Sequence, residues 1–258
     1  MKNMLIKLMF FAMTGLIAAS GFSNDLKRWY FERQTDRHLP PDAQNEINLE
    51  EFSAYYLGDT SQKEVYLTFD EGYENGYTEK ILDVLLDKDV TAAFFVTKSY
   101  IKDNPELIAR MVDEGHIVGN HTIRHKSSPS LSKEDMTAEL VGVADYFKEI
   151  TGTDMPPFFR PPMGEYSEKV LAIAKDCGYH TIFWSFAYKD WLEDSQPGAA
   201  AAHKKVMEDL HPGAILLLHA VSSSNAEAMA DIIDSIQKEG YIFKSLYELP
   251  NINTGGIL

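Results

Sequence analysis

The chain has 258 residues, 45% of them hydrophobic, and a formal net charge of −15 from 24 basic and 39 acidic side chains. That size and apolar content suit one α/β domain with a substantial core, or at most two small domains, and exclude a disordered chain. The acidic balance speaks against a nucleic-acid partner and against a polybasic grip on anionic membranes, because neutralising phosphates needs clustered Lys and Arg.

Residues 1–23 read as an export signal. Lys2 and Lys7 precede an apolar run from Leu8 to Ala19, and small residues follow at Ala18, Ala19, Ser20 and Gly21. The other reading is an uncleaved anchor, but the run is short of the roughly 20 residues a span needs. Residues 24–60 form a polar, aromatic-rich arm. Its Trp29, Tyr30 and Phe31 either pack on the main domain, the ordinary fate of such side chains, or face a ligand. Pro40-Pro41 interrupts any helix there. The main domain spans 61–250, and 251–258 is a tail. Cys177 is the single cysteine, so no disulfide forms within the chain. Its place before Gly178 at a helix end suits a buried small hydrophobe better than a nucleophile.

From Val65 onward, strand-like and helix-like segments alternate. VYLTF, AAFFV, HIVGN, FFRPP, HTIFWSF, AILLLH and YIFKSL are short and rich in β-branched or aromatic residues. One helix begins at Asn104-Pro105 and ends at Gly115, a second runs from Ser132 to near Gly152, and a third from Ser167 to Gly178. A fourth covers about Ala226 to Gly240, with Met229, Ile232, Ile233 and Ile236 on one face. Such alternation implies a parallel sheet covered by helices, open or closed as a barrel.

Parallel β/α folds carry their sites at the carboxyl ends of the strands. Here the conspicuous polar residues fall at those ends: Asp70 and Glu71 after VYLTF, His121 after HIVGN, Arg160 to Gly164 after FF, Asp190 after HTIFWSF, and His219 closing AILLLH. In HTIRH, His121 and His125 stand four apart, a spacing that aligns two imidazoles on a helical turn for one metal. Asp70 or Glu71 fits as a third, acidic ligand, on the expectation that side-chain alternation relaxes at the strand end. Arg160 lies in a loop stiffened by Pro161 and Pro162. It either closes a surface turn or pins a carboxylate while loop N–H groups face a developing oxyanion. Asp190 beside Trp191 can orient a histidine, and His219 is either a core residue or a catalytic one.

Read together as TFDEG, HTIRH, RPPMG, KDW and LLLH, these stretches resemble, in order, the five motifs of the polysaccharide deacetylases of carbohydrate esterase family 4, the NodB-homology domain. ENGYT, DEGHIVGNHT, FWSFAYKDW and HPGAILLLHAVSSSNAEAM are further similar to sporulation-associated N-acetylmuramic acid deacetylases of Bacillus-type bacteria. The resemblance implies a distorted (β/α) barrel. It implies Asp70 as general base, Arg160 positioning it, and Asp190 orienting His219 as the acid for the leaving amine. It also implies a divalent metal, zinc first and cobalt, nickel or manganese next, held by His121, His125 and Glu71. Gly164, Tyr166 and Trp191 would contact substrate. The implied substrate is peptidoglycan glycan strands, most specifically N-acetylmuramic acid lacking its peptide, on the route to muramic δ-lactam in spore cortex. The setting would be the cell wall, the extracellular space or the forespore–mother cell intermembrane space, with a monomeric enzyme and no protein partner. The alternatives are an N-acetylglucosamine deacetylase, an O-deacetylase, or a non-catalytic glycan-binding relative. Two departures stand out: position 71 is Glu where the family usually has Asp and muramic acid deacetylases can have Asn, and Ala187 replaces the first acid of the family's DxxDW segment.

Overall fold

The structure is a computed structural model that describes residues 21–43 and 47–252. The expected export signal, up to residue 20, and the last six residues of the tail lie outside the described residues. No helix among the described residues is long and apolar enough to cross a membrane.

Four short strands lie in the arm and its junction with the domain: β1 (Lys27–Arg28), β2 (Phe31–Glu32), β3 (Asp42–Ala43) and β4 (Ala54–Tyr55). The main alternation follows as β5 (Glu64–Glu71), α1 (Thr78–Asp87), β6 (Ala93–Val96), α2 (Lys98–Asp103), α3 (Pro105–Asp113), β7 (Ile117–Asn120) and α4 (Lys133–Thr151). Next come β8 (Phe158–Phe159), β9 (Glu165–Tyr166), α5 (Glu168–Asp176), β10 (His180–Ile182), β11 (Phe186–Ala187) and α6 (Ala199–Glu208). The chain closes with β12 (Ala214–His219), α7 (Ser223–Lys238) and β13 (Ile242–Phe243).

The main sheet is parallel throughout, ordered β11-β12-β5-β6-β7-β8-β10-β4, with β13 added to the start of β5. Its two faces bury different clusters. Val65, Leu67 and Phe69 of β5 pack with helix residues such as Ile81, Ile108, Ile232 and Ile236. Tyr66, Phe95, Ile117, Phe158, Ile182 and Ile215, from six different strands, meet in one separate cluster. Six strands can bring side chains to a common point only if the sheet curls, so this second cluster is a barrel interior. A seam of close backbone contact draws the sheet round. Leu57 bridges Ala214 antiparallel, and Gly58 N–H donates to the Gly213 carbonyl at 2.8 Å. A Cβ on Gly213 would lie 2.9 Å from Gly58 O, so only glycine permits this approach. The expected distorted barrel is therefore present.

The helices expected from their caps form within a residue or two. Ser132 and Ser167 accept from the Asp135 and Val170 amides, and Gly152 ends α4 in the left-handed region. The fourth expected helix starts earlier, at Ser223, because Ser222 caps it through the Asn225 amide. FFRPP contributes only Phe158 and Phe159 as strand, and HTIFWSF divides into β10 and β11. The arm packs, as expected for Trp29, which stacks on Phe183 at 4.3 Å, while Tyr30 is exposed. Cys177 is a free thiol, half-buried rather than buried, at the C-cap of α5.

Candidate active site

A cavity of about 560 Å³ opens at the carboxyl end of the sheet, lined by Asp70, His121, His125, Gly164, Trp191 and His219, together with Gly72, Tyr73, Met163, Trp184 and Leu217. β5 and β12 are neighbours in register, with His219 opposite Asp70, so the two proposed acid–base residues enter the cavity side by side.

Asp70 is held by a buried cation. Arg160 Nη1 donates to Asp70 Oδ1 at 2.8 Å, Nε to the Ile182 carbonyl at 2.9 Å, and Nη2 to the Phe183 carbonyl at 3.3 Å. The guanidinium, fully buried, also lies 4.2 Å from the centre of the Phe95 ring. Burial alone would raise the Asp70 pKa, but the charges of Arg160, His121 and His219 and the Arg160 hydrogen bond outweigh it and hold the carboxyl below its ordinary range. Asp70 is thus an ionised acceptor aimed into the cavity.

His121 is set by the same loop. Its Nδ1 lies 2.8 Å from the Arg160 carbonyl, which can only accept, so Nδ1 carries the proton and the Nε2 lone pair is left free. Nε2 lies 3.6 Å from Asp70 Oδ2. Burial lowers the His121 pKa to about 4, against the pull of Asp70, and burial also lowers that of His125. The two rings stand 4.9 Å apart. They do not share a helical turn: the HTIRH loop bends back with Thr122 at φ 69° and His125 at φ 52°. Positive φ is rare for a β-branched residue, and this loop is held in it by specific bonds. Asn120 Oδ1 accepts from the Thr122 amide, and buried Glu139 accepts from the Ile123 and Arg124 amides at 2.7 and 2.9 Å.

His219 faces these groups from the other wall. Its Nδ1 lies 2.8 Å from Asp190 Oδ1, and its backbone N–H donates to Asp190 Oδ2 at 2.9 Å. The carboxylate takes the Nδ1 proton as a hydrogen bond and leaves Nε2 for the cavity. Burial lowers the His219 pKa, but the hydrogen bond and charge of Asp190, with Asp70 beyond, raise it above the ordinary histidine range. Trp191, expected beside Asp190, stands half-exposed with its ring 5.3 Å from that of His219.

Three expectations need correction. Glu71 does not reach the cavity. β5 runs as regular strand through Glu71, so alternation persists: Tyr66, Thr68 and Asp70 face inward, and Val65, Leu67, Phe69 and Glu71 face the helices. Its carboxylate is fully buried and no side chain hydrogen-bonds it, while the Ala220 backbone gives the ionised form some support. Burial, followed by the charges of Glu74, Asp70 and Asp190, raises its pKa well above the ordinary range. Among the described residues no group of three or more His, Cys, Asp or Glu side chains is gathered to hold a metal. The residues present therefore offer a metal two imidazoles, but not the expected third ligand. The Tyr166 side chain is also absent from the cavity. It is buried against Trp29 and Phe183, and its strand pairs with β1 of the arm. Gly164 does line the cavity, yet its N–H is committed to the Pro161 carbonyl at 3.1 Å and is not free for an oxyanion. Gly164 is required there: φ is 64°, and a Cβ would lie 2.8 Å from the Trp184 ring.

Sequence reasoning passed over Tyr73, Met163, Trp184 and Leu217, which line the cavity, and Asn120 and Glu139, which shape its histidine loop. Asn120 had one available signal, its place directly before His121 at the strand end.

A curled parallel sheet with a carboxylate–arginine pair and a carboxylate–histidine pair at its carboxyl end defines a hydrolase-type site. This chain belongs to the polysaccharide deacetylase family, whose sequence profile matches residues 57–182. It is similar to the peptidoglycan-N-acetylmuramic acid deacetylase PdaA of Bacillus subtilis, 46% identical over 237 residues, covering 91% of this chain and 90% of that protein. The solved structure of B. subtilis PdaA, a family 4 carbohydrate esterase, matches with a TM-score of 0.85 at 46% identity over 88% of this chain and 97% of that one. A peptidoglycan-N-acetylglucosamine deacetylase of Bacillus cereus is 31% identical over 192 residues, 73% of this chain and 89% of that protein.

Proposed function

We propose that this protein hydrolyses the N-acetyl group of a peptidoglycan amino sugar, most specifically N-acetylmuramic acid lacking its peptide, on the route to muramic δ-lactam in spore cortex. The observation that carries this reading is the placement of two opposed pairs, Arg160–Asp70 and Asp190–His219, on adjacent strands of one cavity. Similarity to PdaA over nearly the whole chain supports the choice of sugar.

The chemistry follows from the protonation states. Asp70, ionised, takes a proton from water as its oxygen attacks the amide carbon. The resulting tetrahedral adduct collapses as His219 gives its Nε2 proton to the leaving nitrogen. The C–N bond breaks, releasing acetate and the free amino sugar. Asp70 then returns its proton to solvent and His219 regains one. Arg160 keeps Asp70 aimed and charged, and Asp190 keeps His219 turned and protonated. A divalent metal, zinc first by ligand type, would be held by His121 and His125, and when bound would polarise the carbonyl and acidify water. We take the enzyme to be a monomer that acts on glycan strands.

We place residues 1–23 as an export signal, 24–60 as an arm bracing the catalytic domain over 61–250, and the enzyme in the cell wall or outside the cell. The test is acetate release from peptide-free peptidoglycan strands, with and without divalent metal. Release from these strands supports the reading, and no release under any metal condition refutes it. Preference for N-acetylglucosamine strands would instead favour the activity named for the B. cereus relative.

A further inference from the structure

We propose that Asn225 is a positioning residue for the Asp190–His219 pair, with Tyr188 orienting Asn225 from behind. Asn225 is fully buried in the first turn of α7 and does not line the cavity. Its amide nitrogen donates to Asp190 Oδ2 at 2.6 Å and to the His219 main-chain carbonyl at 3.1 Å. One side chain thus ties the carboxylate that orients His219 to the backbone that carries it.

The direction of every proton in this network follows from one fact: a carboxylate only accepts. The Asn225 nitrogen must therefore face Asp190, which turns its oxygen away. That oxygen receives the hydroxyl of Tyr188, whose proton must point inward. The row of donors runs Tyr188 to Asn225 to Asp190. Asp190 Oδ2 is then shared by Asn225 and the His219 amide, so Oδ1 is left to receive the His219 Nδ1 proton. Both amide protons and the amide oxygen of Asn225 are used, so the group cannot flip without breaking three bonds.

The surrounding loop is built to hold Asn225 in register with Asp190. Gln196 donates to the Asp190 carbonyl at 2.6 Å and accepts from the Ser222 hydroxyl at 2.6 Å, joining the Asp190 loop to the cap of α7. Ser222 Oγ in turn accepts the Asn225 backbone N–H at 3.1 Å. The start of α7 is therefore a clamp on the acid half of the site. Asn225 is the member of that clamp that touches both Asp190 and His219.

This inference rests on the deacetylase reading, but its test does not depend on it alone. Asn225→Ala should lower kcat for acetate release by about 10- to 100-fold, the scale of a lost hydrogen bond to a charged group, while KM changes by less than about threefold. In nitrogen-15 labelled protein the hydrogen-bonded Nδ1 proton of His219 should give a downfield proton resonance in the wild type that is lost or shifted in the variant. Tyr188→Phe, which keeps the buried ring, should shift the same resonance and lower kcat by a smaller factor. If Asn225→Ala does not fold, Tyr188→Phe decides. An unchanged kcat with an unchanged His219 resonance, in Asn225→Ala or, failing that, in Tyr188→Phe, overturns the proposal. If the wild type releases no acetate from any glycan, the deacetylase reading fails, and the His219 resonance still tests the positioning.

Discussion

Asp70 and Glu71 are neighbours in sequence and occupy opposite environments at the end of β5. Asp70 faces the barrel mouth, where Arg160 meets it at 2.8 Å and holds it ionised. Glu71 faces the helices, where burial and the nearby acids Glu74, Asp70 and Asp190 push its pKa well above the ordinary carboxylate range. Two carboxylates of nearly the same chemistry are separated by a single peptide unit into a base and a buried acid. What separates them is strand parity, which a regular strand enforces to its last residue.

The contrast sharpens when the cavity face is broken first. His219→Ala should lower acetate release by roughly 10²- to 10⁴-fold, the range for loss of a general acid, measured as kcat on peptide-free strands. A loss below tenfold would mean that the leaving amine is protonated by another group. Next in size is the pH response. Asp70 must be ionised and His219 protonated, so activity falls as pH drops through the lowered Asp70 value and as it rises through the raised His219 value. The groups facing His219 are Asp190, Asp70, Arg160 and His125. The expected kcat profile is a bell whose alkaline limb lies above the ordinary histidine range. An alkaline limb below that range would contradict the Asp190–His219 pairing.

The helix face should answer differently and more weakly. A buried acid whose folded pKa is raised contributes stability fully below its unfolded value, and that contribution is lost as pH rises through the folded value. Glu71→Gln should therefore melt close to wild type in mildly acidic buffer and at a higher temperature in alkaline buffer, as read by thermal unfolding across pH. Its zinc affinity, by calorimetry, should match wild type. A clear loss of zinc affinity would return Glu71 to the metal site.

The long apolar strands β5 and β12 were legible because burial on both faces writes an unbroken hydrophobic run. The capped helices α3, α4 and α5 were legible from Asn-Pro, Ser and Gly punctuation. The two-residue strands β1 to β4 were not, since two residues carry no period, and α6 hid in a run of alanines after Pro197-Gly198. The site was legible as far as the rule of strand ends reaches: Asp70, His121, His125, Arg160, Asp190 and His219 all gather at one end of the sheet. Glu71 departs from its expected place because β5 keeps its pleat to the last residue, so the alternation does not relax there. Glu139 and Asn225 fall outside the rule of strand ends because each sits on a helix and not at a strand end. Glu139 is embedded in the amphipathic α4, and Asn225 follows a run of serines that reads only as a cap.

The most direct test of this division compares Asp70→Asn with Glu71→Gln in one assay of acetate release from peptide-free peptidoglycan strands. The expected result is a loss of more than about 10²-fold for Asp70→Asn and retention within about threefold of wild type for Glu71→Gln. Equal losses in the two variants, or wild-type rates from Asp70→Asn, would contradict it.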